Sequence, residues 1–134
     1  MTTNPPKDAP NAAPVRHVEV AIAGAGFGGL CMAIKLKEAG IHDFVVLEKG
    51  AEVGGTWRDN TYPGCACDVE SHLYSFSFEP NPNWSRLYAP QPEIFAYLRH
   101  VARKYDLMRH IHFHTNLVGA RWDETRRLWV VTAD

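Results

Sequence analysis

Apolar positions along this chain fall in blocks, and the blocks differ in period. Val18-Glu-Val-Ala-Ile-Ala23 is short and mostly apolar, which predicts a buried strand. It runs straight into Gly24-Ala-Gly26-Phe27-Gly28-Gly29 and then into Leu30-Cys-Met-Ala-Ile-Lys-Leu-Lys-Glu-Ala-Gly40. Leu30, Ala33, Ile34 and Leu36 support a helix that stops at Gly40, with Lys35 and Lys37 toward the negative end of its dipole. His42-Asp-Phe-Val-Val-Leu-Glu48 predicts a second buried strand that ends in an acid. From Gly50 to Pro92 the periodicity is lost, while Trp57, Tyr62, Tyr74, Phe76, Phe78, Trp84 and Tyr88 crowd the segment. A loop so long and so aromatic is expected to be functional rather than disordered, and a large planar ligand would account for it. Pro92 to Tyr105 predicts an amphipathic packing helix with Ile94, Phe95, Leu98, Val101, Ala102 and Tyr105 on its apolar face. Asn116 to Trp122 and Arg127 to Thr132 predict two strands joined by Asp-Glu-Thr-Arg.

Composition narrows the partners. The 134 residues are 46% hydrophobic and 22% charged, enough for one domain with a real core. Residues 1–14 hold four prolines and no large apolar residue beyond the initiator Met, so a flexible tail is expected before a domain over 15–134. The net charge is −1 and the basic residues are scattered, which argues against nucleic acid or an anionic membrane as partner. No apolar run approaches the roughly 18 residues of a membrane span and no signal-peptide pattern opens the chain, so a cytoplasmic location is the default expectation. Three cysteines are a poor basis for a disulfide framework and are expected as reduced thiols.

Two clusters invite a metal reading and are set aside. Cys65-Ala-Cys67 has a one-residue spacer and no second ligand pair, so small packed thiols are the simpler account. His110, His112 and His114 would share one face if their segment is a strand, but an exposed face with Ile111 and Phe113 inward explains the alternation. No metal site is expected.

The order strand, glycine turn, helix, strand, acid carries more chemistry. Gly24 permits the tight turn, Gly26 lets the backbone approach a pyrophosphate, and Gly29 lets helix and strand pack closely. The helix N-terminus offers N–H groups and a positive dipole end to phosphates. Glu48 follows Gly29 by nineteen residues, where a carboxylate can hydrogen-bond ribose hydroxyls and would repel a 2′-phosphate. FAD or NAD fits better than NADP, although Lys49 leaves room for the latter. The glycine pattern alone also suits a turn in an unrelated α/β domain.

The segment beyond it carries a family resemblance. Gly54-Gly55-Thr56-Trp57, then Tyr62-Pro63-Gly64, then Asp68 resembles the N-terminal fingerprint of the class B flavoprotein monooxygenases, in particular the Baeyer-Villiger monooxygenases. That fingerprint is glycine, any residue, tryptophan, four residues, aromatic, proline, glycine, three residues, aspartate, and every fixed position is matched. The continuation through Asn83, Trp84 and Pro92 is similar as well, so the resemblance spans Val18 to Asp134.

The resemblance implies an α/β Rossmann-like FAD-binding domain of the two-dinucleotide-binding-domain flavoprotein type, incomplete here, with a small antiparallel β-meander. It implies Gly24, Gly26 and Gly29 around the pyrophosphate, with Phe27 and Gly28 in the same turn, and Glu48 on the adenosine ribose. Gly55, Thr56 and Trp57 would line the flavin side, Tyr74 would approach the cofactor, Gln91 would lie near it, and the Leu117 backbone would meet the adenine. Asp68 is the candidate catalytic residue, implied to sit beside flavin and nicotinamide and to pair with an essential arginine. The implied reaction uses NADPH and O2 and inserts oxygen beside a ketone carbonyl through a C4a-peroxyflavin that must be kept dry and electrostatically supported.

A ketone or sulfide substrate is expected; the oligomeric state is open. An N- or S-oxygenating flavin monooxygenase and a non-catalytic dinucleotide-binding module are the alternatives, the Tyr-Pro-Gly and Asp68 continuation favouring the Baeyer-Villiger type. The family's second glycine motif for NADPH, its linker fingerprint and its arginine are missing from these 134 residues, so an N-terminal fragment of a longer enzyme is expected, inactive by itself.

Overall fold

A computed structural model describes residues 15–134; the tail expected over 1–14 lies outside the described residues. Strand β1 (Val20–Ala23) leads into helix α1 (Phe27–Glu38) and strand β2 (Phe44–Leu47), and β1 and β2 pair in parallel from Val20 opposite Phe44 to Ala23 opposite Leu47. Both strands are two residues shorter at their starts than the apolar runs predict. Register is the reason, since the ladder begins where Phe44 enters the core and the residues before it are joined by a Glu19 N–H bond to the Asp43 carbonyl. Parallel strands need a crossover, and α1 supplies it by laying Leu30, Ala33 and Ile34 against the sheet.

Beyond β2 the chain makes a single helical turn, α2 (Thr56–Asp59), a long irregular segment, and helix α3 (Gln91–Lys104). The buried face of α3 is Ile94, Tyr97, Leu98, Val101 and Ala102; Phe95 and Tyr105 sit at its edge, and Tyr97 was not on the expected face. Lys37 Nζ donates to the Tyr105 carbonyl at 2.6 Å, tying the end of α1 to the end of α3. A short 3-10 turn, Met108–His110, then feeds strand β3 (Ile111–His112), which adds in parallel to the other side of β2. Last comes an antiparallel hairpin of β4 (Leu117–Asp123) and β5 (Leu128–Ala133), with a bulge near Leu117 and Trp122 edge-on to Trp129. Its turn is closed by Asp123, whose carboxylate accepts the Arg126 N–H and Nε–H, each at 2.9 Å.

Much of the irregular segment's aromatic content goes into packing. Its rings build a core of their own: Phe27 of α1 packs within 5.1 Å of both Tyr74 and Phe76, and Phe76 stacks on Phe78. Tyr97 from α3 anchors the cluster, its hydroxyl accepting the Phe76 N–H at 2.9 Å and donating to the Glu79 carbonyl at 2.7 Å. A segment with almost no ladder must satisfy its backbone through such side chains, and must bury apolar area with large rings. Cys65 and Cys67 are buried free thiols in this region, where Cys67 N–H bonds the Ala89 carbonyl and Gln91 N–H bonds the Cys65 carbonyl.

The histidine run does not form one strand face. His110 closes the 3-10 turn and stacks on Phe44 at 4.2 Å between ring centres, His112 is exposed on β3, and His114 has φ of 52° in the turn beyond. Burial pushes the His110 imidazole below its usual range. Ile111 and Phe113 do point inward, as the alternation predicts. Among the described residues no group of three or more His, Cys, Asp or Glu is placed to hold a metal ion, and no helix is long and apolar enough to cross a membrane.

Candidate dinucleotide site

The C-terminal ends of β1 and β2 open onto a cleft of about 410 Å³. Crevices of this kind, outside the carboxyl ends of parallel strands, are where doubly wound sheets bind ligands. One wall is the glycine turn with Gly24 and Gly26, another the end of β2 with Glu48 and Lys49. Gly55, Thr56 and Arg58 of the α2 turn face them, and Leu117 closes the side from the hairpin.

The glycine turn is built by close approach. Gly24 has φ of 83°, which a side chain rarely tolerates, and its N–H bonds the Leu47 carbonyl at 2.8 Å. A Cβ on Gly29 would run into the Gly24 carbonyl oxygen, so helix and turn touch backbone to backbone. Gly54 N–H bonds the Ala25 carbonyl at 2.9 Å, and a Cβ on Gly55 would lie 3.2 Å from the Gly26 Cα. Two glycine loops are thereby held against each other at the head of α1. That helix starts at Gly26 without a side-chain cap, which leaves its first-turn N–H groups available to an anion.

Glu48 is the electrostatic centre. It is only 2% exposed, yet Oε2 accepts the Ala25 N–H at 2.7 Å, while Oε1 accepts the Gly50 N–H and Arg58 Nη1, each at 2.7 Å. Burial works to raise this carboxyl, but the bonds from Ala25, Gly50 and Arg58 outweigh it and hold the group below its usual 4.5. Arg58 is in turn raised, first by its hydrogen bond to Asp59, with burial opposing and Glu48 assisting. A carboxylate at the mouth of the glycine turn is therefore ionised and aimed.

Of the residues singled out in the sequence, Gly24, Gly26, Glu48, Gly55, Thr56 and Leu117 meet in this cleft. The others stand apart from it. Gly29 lies behind the turn, Gly28 faces open space, and the Phe27 ring joins the aromatic cluster. Trp57 is buried and donates its indole N–H to the Tyr74 hydroxyl at 3.1 Å, so the two stabilise the loop rather than line the cleft. Gln91, also buried, donates its side-chain N–H to the Trp57 carbonyl and pins the α2 turn. Asp68 is exposed, and no salt bridge to it is found among the described residues. Arg58 is the site residue that sequence reasoning missed; its position directly after Gly-Gly-Thr-Trp was visible, but nothing periodic links it to Glu48.

The parallel sheet, the glycine turn and the acid at the end of β2 define a dinucleotide-binding α/β fold. The chain belongs to the NAD(P)-binding Rossmann-like domain family, which matches residues 22–90. It is 55% identical over 115 residues to a Baeyer-Villiger monooxygenase of Streptomyces coelicolor, a match covering 86% of this chain and 22% of the relative. It is also 55% identical over 120 residues to a Baeyer-Villiger monooxygenase of Pseudomonas aeruginosa, covering 90% of this chain and 23% of that one. The crystal structure of OTEMO in complex with FAD and NADP superimposes with a TM-score of 0.82 at 37% identity, over 87% of this chain and 23% of that protein. The chain thus spans under a quarter of the length of the relatives it matches. The resemblance to class B flavoprotein monooxygenases read from the fingerprint agrees with these matches, and so does the Rossmann-like fold with its small antiparallel sheet.

Proposed function

We propose that this chain forms the FAD-binding portion of an NADPH- and O2-dependent flavin monooxygenase of the Baeyer-Villiger type, which converts a ketone to an ester or lactone. The observation that carries the reading is the uncapped head of α1 facing the buried, ionised Glu48 across one cleft, with the glycine–tryptophan, Tyr-Pro-Gly and aspartate fingerprint completed at Asp68. A pyrophosphate suits the N–H groups behind Gly24 and Gly26, and a Cβ at Gly29 would close the turn that supports it. Glu48 then takes a ribose hydroxyl, and Leu117 bounds the adenine side. Thr56, on the rim of the cleft, bounds the flavin side. The Trp57–Tyr74 pair stiffens the loop from behind. The flavin, when bound, supplies the oxygen chemistry. Asp68, free of any ion pair among the described residues, is left to orient an arginine supplied from outside this segment.

The full-length protein is expected to be yellow, with flavin absorbance that is extractable as FAD; a protein that stays colourless after reconstitution with excess FAD sinks the assignment. Asp68→Ala in that protein is expected to keep FAD within about twofold of wild-type content while ester formation falls on the order of 100-fold, the scale of losing one preorganised electrostatic group. Turnover of a cyclic ketone, followed by product chromatography, decides it: wild-type ester formation removes Asp68 from the mechanism.

A further inference from the structure

The donors around Glu48 are unevenly divided between its two oxygens. An ionised carboxylate offers about four acceptor sites, two on each oxygen. Oε1 is filled by Gly50 N–H and Arg58 Nη1, whereas Oε2 holds the Ala25 N–H alone. The guanidinium that causes this imbalance is itself fixed. Its Nη1 also donates to the Glu52 carbonyl at 2.6 Å, and Nε and Nη2 donate to the two Asp59 oxygens at 2.8 and 3.1 Å. Four of its five N–H groups are therefore committed, and the side chain is 15% exposed. The backbone makes room for it: a Cβ on Gly50 would overlap Arg58 Nη1 and Cζ.

We infer that Arg58 is a positioning residue that saturates Glu48 Oε1, leaves Oε2 as the single acceptor for a ribose hydroxyl, and thereby sets the preference for FAD over FMN. This rests on the FAD reading above. FMN lacks the adenosine ribose, so a residue acting through Glu48 on that ribose changes FAD affinity and leaves FMN affinity alone. Arg58 also lines the same cleft, which keeps its positive charge next to the ribose side. A merely structural arginine would weaken both flavins together.

The test is flavin titration of the full-length apoprotein, FAD against FMN, read by flavin fluorescence. Arg58→Met is expected to weaken FAD at least tenfold, the scale of losing one charge-assisted hydrogen bond, with FMN within twofold. Arg58→Lys, which keeps the charge but loses the fork onto Asp59, is expected to recover part of the FAD affinity. Gly50→Ala keeps the arginine but pushes the guanidinium out of its seat, and is expected to lower FAD selectively as well; it decides the matter should Arg58→Met not fold. Equal losses for FAD and FMN, or no loss in either variant, overturn the inference while the FAD reading stands. So does a wild-type protein with no preference for FAD. A wild-type protein that binds neither flavin overturns both.

Discussion

Gly29→Ala is expected to abolish flavin retention and to lower the melting temperature of the full-length protein by about 3 °C. The added Cβ overlaps the Gly24 carbonyl oxygen and comes within 3.0 Å of its carbon and 3.5 Å of the Ile22 side chain. Neither backbone can yield cheaply, because Gly24 is held at φ of 83° by its bond to Leu47 and Gly29 sits in the first turn of α1. Forcing them apart costs about 3 kcal/mol by the usual scale of overpacking, and it opens the turn that would face a pyrophosphate. Gly28→Ala is the control of opposite sign. Its Cβ meets nothing within 4 Å and it lies in α1, so the change is expected to stabilise by about 0.5–1 kcal/mol through helix propensity. Thermal unfolding and flavin content of the two variants check both results; a Gly29→Ala protein that keeps its flavin and melts like wild type removes the close-packed turn from the account.

Glu48→Gln is the second large effect. Three donors converge on a buried carboxylate, and an amide has only one oxygen to give them. Whichever way it turns, its NH2 faces either Ala25 N–H or the Gly50 and Arg58 pair, and Arg58 loses a buried counter-charge. A cost of about 3 kcal/mol is expected, with at least a tenfold loss of FAD affinity. The pH dependence has a defined sign. Glu48 is lowered in the folded protein, so its contribution is complete above the ordinary value of 4.5 and is lost as the pH falls through the lower folded value. The stability gap between wild type and Glu48→Gln is therefore expected to be constant near neutrality and to narrow below 4.5. Chemical denaturation at several pH values measures it; a gap that does not change with acid means the carboxylate is not acting as an anion. Other depressed carboxylates, such as Glu79 and Asp123, remain in both proteins and cancel in the difference.

The readable parts of this molecule are the local ones. The order of β1, glycine turn, α1 and β2 follows from apolar period and from glycine placement, and so does α3 with its proline at the start and cations at the end. The hairpin was also visible, because its two strands flank a short polar turn. In the aromatic segment Phe76, Phe78, Trp84 and Tyr74 pack into the loop's own core against Phe27 and Tyr97, a use that the sequence does not separate from contact with a planar ligand. Rings carry no label for which they will do, since both uses bury the same apolar area. The histidines follow the same logic, for their alternation suits a strand, whereas the 3-10 turn takes up His110 and the strand ends at His112.

The sequence by itself determined where the chain turns tightly, which residues enter the sheet, and that a carboxylate closes β2, because each depends on neighbours within a few positions. Only the tertiary structure decided what surrounds that carboxylate. Arg58 reaches Glu48 by the way an aperiodic loop folds back over Gly50, and Leu117 reaches the cleft from the first position of the β4–β5 hairpin, far along the chain from Glu48. Contacts across irregular backbone follow from how its carbonyls and rings are satisfied together, and no spacing in the chain encodes that.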